Sequence, residues 1–288
     1  MAGITATMVN DLRRMTGLGL MECKSLLQEA GGEMEKAVTL AKERGLKHAE
    51  KRAGRAAKAG RVEVVLSGDG KSGAMVELNC ETDFVARNDD FKAVARELAE
   101  FVLAGGKGEL NAVLESKMPK HGKSVKDVLI DVNARTGENV GLSRVACFSG
   151  AGRVDAYVHH DGMKGALVQI SGDAEPALVR ELAMHIVATP IKPVAVRREE
   201  VAAPLVEEQK RIYLAQIAQQ MADKPERVRE KIATGKMDAW FKEVVLLEQE
   251  FIKDPGKKIK DVLGAAGKEL KVKQFARFVV GEGDEMAG

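Results

Sequence analysis

Residues 60–79 read GRVEVVLSGDGKSGAMVELN, and residues 152–171 read GRVDAYVHHDGMKGALVQIS. The two segments align at an offset of 92 without a gap. Eight of the twenty positions are identical: Gly60, Arg61, Val62, Asp69, Gly70, Gly73, Ala74 and Val76 each meet their own kind in the second copy. Both segments place β-rich runs on either side of Asp-Gly, a dipeptide whose residues tolerate the positive φ of a tight hairpin turn. A helical pattern follows each hairpin, VARELAEFV at 94–102 and LVRELAMHIV at 178–187. A repeated hairpin-plus-helix predicts two related lobes, each a hairpin packed on helices.

The helices align at a different offset. Arg96-Glu97-Leu98-Ala99 matches Arg180-Glu181-Leu182-Ala183 at 84, so the first copy carries eight more residues between hairpin and helix. They fall near Cys80–Arg87, in CETDFVAR. The second lobe is predicted to fold without such residues, so here function rather than fold can be written. Within the surplus, Thr82-Asp83-Phe84-Val85 has two readings. Thr82 or Asp83 caps a helix and Phe84-Val85 drop into the core. Alternatively the string is a loop wedge, with the aromatic filling a partner's cleft and the carboxylate perturbing its ions.

Outside the repeat, residues 1–45 predict three short helices. Thr5 caps the first; Thr16-Gly17-Leu18-Gly19 separates it from the second, which carries Leu20, Met21, Leu26 and Leu27 and stops at Gly31-Gly32. Such a bundle is similar to the ubiquitin-associated (UBA) type, which serves protein binding. Residues 42–61 form a charged connector, eight Lys and Arg against Glu43 and Glu50; it reads as a solvated helix or linker, or as a contact for an acidic partner or RNA. Residues 199–247 interrupt the second lobe. A stripe through Val201, Leu205, Ile212 and Ala215, a turn at Asp223-Lys224-Pro225 and a second helical pattern predict a projecting hairpin of two antiparallel helices, the first about 30 Å long. A short helix at 257–264 and a strand at 273–280 complete that lobe.

The whole chain has 288 residues, 45 basic and 43 acidic. Two or three domains fit this length. The near balance of charge argues against an obligate nucleic-acid binder. Cys23, Cys80 and Cys147 have no metal-ligand or disulfide spacing, and are expected to be small buried thiols. No apolar run reaches signal-peptide or membrane-span length, so a cytoplasmic protein is expected.

Motifs for chemistry are weak. Gly70-Lys71-Ser72 and Gly122-Lys123-Ser124 mimic the end of a phosphate loop, but Val65 and Lys117 stand where its first glycine belongs. The five histidines form no zinc-binding pattern; His185 on an apolar helix reads as a core histidine, while His159 and His160 sit beside the Asp161-Gly162 turn. A metabolic enzyme would need an acid/base or nucleophile constellation that these residues do not make. An RNA- or ribosome-binding module would rely on the connector, without an aromatic recognition string.

TGLGLMECKSLL at 16–27, ELNCETDFVARNDDF at 77–91, GENVGLSRVACFSG at 137–150, VDAYVHHDGMKGALV at 154–168, AMHIVA at 183–188 and QFARFVVGEG at 274–283 resemble the elongation factor Ts family over nearly the whole chain. The resemblance implies an α+β fold: a UBA-like helical domain with basic connector (1–54), core lobe 1 (55–147), and core lobe 2 (148–288) with a coiled-coil hairpin (199–247). It implies a guanine-nucleotide exchange factor for elongation factor Tu, in its GDP-bound and nucleotide-free forms, with no covalent chemistry, no cofactor and no nucleic-acid or membrane partner. Thr82, Asp83, Phe84 and Val85 fall where the family disturbs the partner's magnesium site. Arg13, Leu20 and Met21 fall at family contact positions in the bundle, with Leu20 in place of a more usual methionine. His159, rather than His160, corresponds to the histidine contact of the second lobe.

Overall fold

The computed structural model describes residues 4–52, 54–221 and 224–282. The fold is mixed helix and sheet. Helices α1 (Ala6–Thr16), α2 (Leu20–Glu29) and α3 (Met34–Arg52) lead into strands β1 (Ala59–Leu66) and β2 (Ser72–Cys80). The one-turn helix α4 (Asp83–Arg87), α5 (Asp89–Gly105) and α6 (Leu110–Leu114) follow. The short strands β3 (Lys117–Met118) and β4 (Lys123–Ser124), helix α7 (Val125–Thr136) and strand β5 (Gly141–Ser149) come next. The second half runs β6 (Arg153–Val158), β7 (Lys164–Ser171), α8 (Pro176–Ala188), α9 (Ala203–Gln220), α10 (Glu226–Val244), α11 (Ile259–Ala266) and β8 (Lys271–Val279).

Both predicted hairpins form, and each gains a third antiparallel strand, giving sheets ordered β1-β2-β5 and β6-β7-β8. The two sheets share even their irregularity. The register slips between Glu77 and Leu78 on β2, and between the equivalent Gln169 and Ile170 on β7. The central strands are buried on both faces, which is why they read as apolar runs rather than alternating ones. On β2, Ala74, Val76 and Leu78 belong to the core packed with α5 and α7. Met75 points the other way and joins Val62, Val154 and Leu167 in a core between the sheets.

That inter-sheet contact accounts for the sequence identities. Val62 N–H donates to Gly162 O, and the equivalent Val154 N–H donates to Gly70 O, both at 2.8 Å. A Cβ on Gly73 would press on Leu167 and Val154 at 3.0 Å, and one on Gly165 would press on Val62 at 2.7 Å. Arg61 packs on Gly162 as Arg153 packs on Gly70. At Gly60 and Gly152 a Cβ would collide with the neighbouring backbone carbonyl of Leu78 or Ile170. The same patch on each lobe meets its counterpart, the isologous arrangement of a twofold dimer built within one chain.

The three N-terminal helices enclose Leu12, Cys23, Leu26, Leu27 and Ala37. Thr5 caps α1, its Oγ1 accepting from Met8 N–H at 3.3 Å, and Gly17 closes it at φ 73°. The third helix runs on to Arg52, which takes the helical alternative for the first half of the connector. Several connector cations have internal partners, Arg44 with Glu29, Arg52 with the Asn133 carbonyl, Arg55 with Glu81 and Arg61 with Glu63.

Helices α9 and α10 pack on each other, and the expected stripe is buried only in part. Val201 is buried and Leu205 half-buried, whereas Ile212 and Ala215 are exposed, because the apolar contacts gather at the base around Met237, Trp240 and Val244. Asp223, part of the expected turn, lies outside the described residues. The helix expected at 257–264 is α11, and the final strand β8 begins two residues before the expected Lys273. No helix among the described residues is long and apolar enough to cross a membrane.

Candidate functional site

The eight-residue surplus is not a loop. It forms α4, with Thr82 as its cap and Phe84 outside the core. Thr82 is extended (φ −125°, ψ 154°), and its Oγ1 accepts from Val85 N–H at 3.4 Å as the N-cap. Asn88 ends this turn and starts the next helix, its Oδ1 accepting from Asp90 N–H at 2.8 Å. Ala86 is buried and Val85 packs against the lobe-1 core. Phe84 does not drop into the core; it is 83% exposed. One apolar side of the turn is therefore tied down while the aromatic stands in solvent. Asp83 is exposed beside it, its Oδ2 3.2 Å from the Arg87 guanidinium.

The base of α4 is held by a residue to which the sequence reading gave no role. Glu138, in the turn between α7 and β5, accepts through Oε2 from the backbone N–H of Glu81 at 3.0 Å and of Thr82 at 3.1 Å. Its Oε1 accepts from the Thr82 hydroxyl at 2.5 Å. Glu81 returns the contact: its Oε1 accepts from Asn139 N–H at 2.7 Å and lies 3.4 Å from Arg55 Nη1. Asn139 in turn donates from Nδ2 to the Arg55 carbonyl at 2.9 Å. The GEN string at 137–139 is the only sequence signal for this set, and nothing in its spacing points to α4.

Beneath the turn, the Cys80 thiol donates to the Thr82 carbonyl at 3.2 Å. Burial, followed by the charge of Glu138, pushes that thiol up to about 12. Cys80 is thus a protonated packing group rather than a nucleophile. Cys23 is also buried, while Cys147 is only half-buried, a small departure from expectation.

The remaining candidates sit on other elements. Arg13 is exposed in the last turn of α1, and Leu20 and Met21 open α2 across the Thr16–Gly19 turn. Met21 is 78% exposed and Leu20 also faces solvent, although both belong to an apolar helical pattern. His159 lies in the β6–β7 turn, where its ring meets Tyr157 edge-on and stacks at a tilt on His160, 4.2 Å away. Its Nδ1 is 3.1 Å from Asp161 Oδ2, while His160 is the more exposed ring. Lobe 1 builds the same turn with Ser67 in place of His159, its hydroxyl donating to Asp69 at 2.6 Å. The backbone closes alike in both, through Ser67 N–H to Ser72 O and His159 N–H to Lys164 O, each 2.9 Å.

Gly70-Lys71-Ser72 occupies the lobe-1 turn, between two strands rather than between strand and helix. His185 is a core histidine. Its Nδ1 accepts from Ile252 N–H at 3.3 Å, so Nε2 carries the proton toward Gln249 Oε1, 2.9 Å away. Burial pulls its pKa below the ordinary value, against the opposing effect of that hydrogen bond.

An exposed aromatic on a rigid turn, with a second apolar patch at the bundle, offers surfaces rather than a reaction chamber. Comparison with known proteins places the chain among translation elongation factors. The model of the family "Elongation factor TS" matches residues 81–282. Elongation factor Ts of Aquifex aeolicus is 39% identical over 283 residues, covering 95% of this chain and 96% of that protein. The Nitrosospira multiformis protein of the same name is 41% identical over 289 residues, covering 99% and 92% respectively. The Prosthecochloris aestuarii protein is 38% identical, covering 98% of this chain and 100% of its own. The chain belongs to the elongation factor Ts family.

Proposed function

We propose that this chain is a guanine-nucleotide exchange factor that binds elongation factor Tu–GDP and promotes GDP release during translation elongation, as a cytoplasmic protein without covalent chemistry. The observation that carries the reading is Phe84, a large aromatic held in solvent on a turn that Thr82 caps and Val85 and Ala86 pack onto the core. Leaving it exposed has no folding benefit, and a buried aromatic anchor is what concentrates energy at protein interfaces. Phe84 enters the partner beside its magnesium and phosphate site, with Thr82 and Val85 fixing its direction. Asp83 exchanges its Arg87 contact for the partner's magnesium environment. Arg13, Leu20 and Met21 bind a second surface of the partner, and His159 a third.

The mechanism is reciprocal coupling. If the factor binds nucleotide-free partner more tightly than nucleotide-bound partner, nucleotide weakens the factor by the same factor. Magnesium neutralises much of the charge on GDP phosphates, so disturbing its site speeds release. We also read the N-terminal helices as a UBA-like bundle within a 1–54 domain, residues 55–147 and 148–288 as the two core lobes, and 199–247 as a coiled coil. The test is release of fluorescent GDP from purified elongation factor Tu with and without this protein. Acceleration is expected, with no GTP hydrolysis by the factor alone; unchanged release at saturating factor refutes the proposal.

A further inference from the structure

We propose that Glu138 is the positioning residue of the α4 wedge: it fixes the direction of Phe84 without touching the partner. The inference rests on the exchange-factor reading and deepens it. A five-residue helix has almost no intrinsic stability, because one hydrogen-bonded turn does not repay the dihedral freedom it removes. Something outside α4 must hold its entry, and Glu138 does so three times over. Its Oε2 receives the N–H groups of Glu81 and Thr82, and its Oε1 receives the Thr82 hydroxyl. That hydroxyl is simultaneously the cap acceptor for Val85 N–H. The chain of contacts therefore runs from Glu138 through Thr82 to the first turn of the helix that carries Phe84.

Placement supports the same role. Glu138 lies on the turn between α7 and β5, both part of the rigid lobe-1 core, so it joins the wedge to a fixed support. Glu81 reaches back to Asn139 and Arg55, closing the support from the opposite side. In lobe 2 the segment between β7 and α8 carries no such helix. The network thus accompanies the wedge rather than the repeated fold. Charge-assisted hydrogen bonds of this kind are stronger than neutral ones, and their geometry orients the group that they hold.

The experiment measures GDP release from elongation factor Tu across a range of factor concentrations. The factors compared are wild type, Phe84→Ala, Glu138→Ala, Glu138→Gln and the double Phe84→Ala/Glu138→Ala, each with its thermal midpoint. Glu138→Ala is expected to lower the maximal release rate by about tenfold, as misdirection of a contact group does. The half-saturating concentration should move less, since Arg13, Leu20, Met21 and His159 still bind. Glu138→Gln should recover most of the rate: its carbonyl replaces Oε2 for the two backbone donors, and its amide faces the Thr82 hydroxyl. In the Phe84→Ala background Glu138→Ala should have little further effect, because it acts through the missing ring. Normal release by Glu138→Ala where Phe84→Ala is impaired overturns the inference alone, as do effects that multiply in the double variant. A loss of rate that merely tracks a lower folded fraction overturns it too. Normal release by Phe84→Ala overturns the wedge reading, and this inference with it.

Discussion

At equivalent points of their central strands, the two lobes solve one problem with different chemistry. Glu77 and Gln169 are each 2% exposed, face the other lobe and sit where the register slips. In lobe 1 Glu77 accepts from Arg144 Nε at 2.6 Å, from Asn79 at 3.0 Å and from Gly281 N–H of lobe 2 at 3.1 Å. Arg144 then donates to the Val279 carbonyl at 2.7 Å and lies 4.6 Å from the centre of the Phe278 ring. In lobe 2 Gln169 accepts from Gln274 at 2.8 Å and donates at 3.1 Å to the carbonyl of Ser149, the last residue of β5 in the β1-β2-β5 sheet. Each middle-strand side chain pairs with the third strand of its own sheet, once as an ion pair and once through amides, and also bonds to backbone on the other sheet's side. The backbone arrangement requires a satisfied polar pair at this point but does not dictate its charge.

The sharpest way to break the comparison is to remove one partner. Glu77→Ala leaves Arg144 largely buried without its counter-charge and is expected to cost about 3–5 kcal/mol in chemical denaturation. Gln169→Ala strands only neutral groups and should cost about 1–3 kcal/mol. Equal losses would mean that charge is immaterial at this interface. Glu77→Gln combined with Arg144→Gln transplants the lobe-2 solution into lobe 1 and should recover most of the loss.

The second contrast is the wedge, which lobe 2 lacks. Phe84→Ala should slow GDP release about tenfold or more, near 1.4 kcal/mol per factor of ten, and leave the thermal midpoint almost unchanged. Asp83→Ala should slow release as well without loss of stability, since its Arg87 contact lies on an exposed surface. If Phe84 served the core instead, its truncation would cost about 3–5 kcal/mol of stability. Kinetics and melts on the same variants separate the two roles.

A third contrast lies on the repeated helices, where lobe 1 has Phe101 and lobe 2 has His185 at the aligned position. Burial depresses the His185 pKa, so the unfolded chain takes up its proton more readily than the folded one. Stability from this site is therefore full above the ordinary value of 6.5 and declines as pH falls from there through the depressed folded value. His185→Gln keeps a donor for Gln249 and should remove that step from the pH dependence of unfolding. An unchanged profile would show that another group governs acid loss.

How much of this was legible follows the range of each signal. The hairpins, their turns and the surplus of lobe 1 could be read because their determinants lie within twenty residues: Asp-Gly at each turn, glycines where strands cross closely, and an offset that changes from 92 to 84. The length of α3 stayed open because a run of Lys and Arg reads alike as linker and as helix. Strand β5 carried no expectation of its own; GLSRVACFS matches no copy of the hairpin, and its pairing with β2 is distant in sequence. Glu138 was invisible for the same reason, since its partners lie 56 and 57 residues away. Ile212 fitted a helical stripe yet faces solvent, because periodicity reveals a face but not whether anything covers it.

The smallest effect is expected from the largest deletion. Lobe 1 runs without an insertion where lobe 2 carries α9 and α10, so removing 203–243 and joining the ends with a short linker should make lobe 2 resemble lobe 1. The segments that flank the hairpin are already neighbours. Val194 N–H donates to Val244 O and Leu246 N–H to the Ala195 carbonyl, both at 2.9 Å, and Ala195 bridges Val245 in parallel. Those contacts survive the deletion, and the entropy of closing a short loop between adjacent ends changes only slowly with its length. Met237 and Trp240 leave a small base cluster, Arg198 loses Asp238 while keeping Glu248, and Gln249 loses the Glu243 carbonyl while keeping Ile191 and His185. The lobe-2 core of Val168, Ile170, Leu182 and Ile186 contains no residue of the deleted segment. A cooperative melt with a nearly unchanged midpoint is therefore expected, together with weaker binding to elongation factor Tu if the hairpin serves the partner. Loss of cooperativity in the deletion would mean that α9 and α10 support the lobe, and that the two lobes are less alike than their sheets.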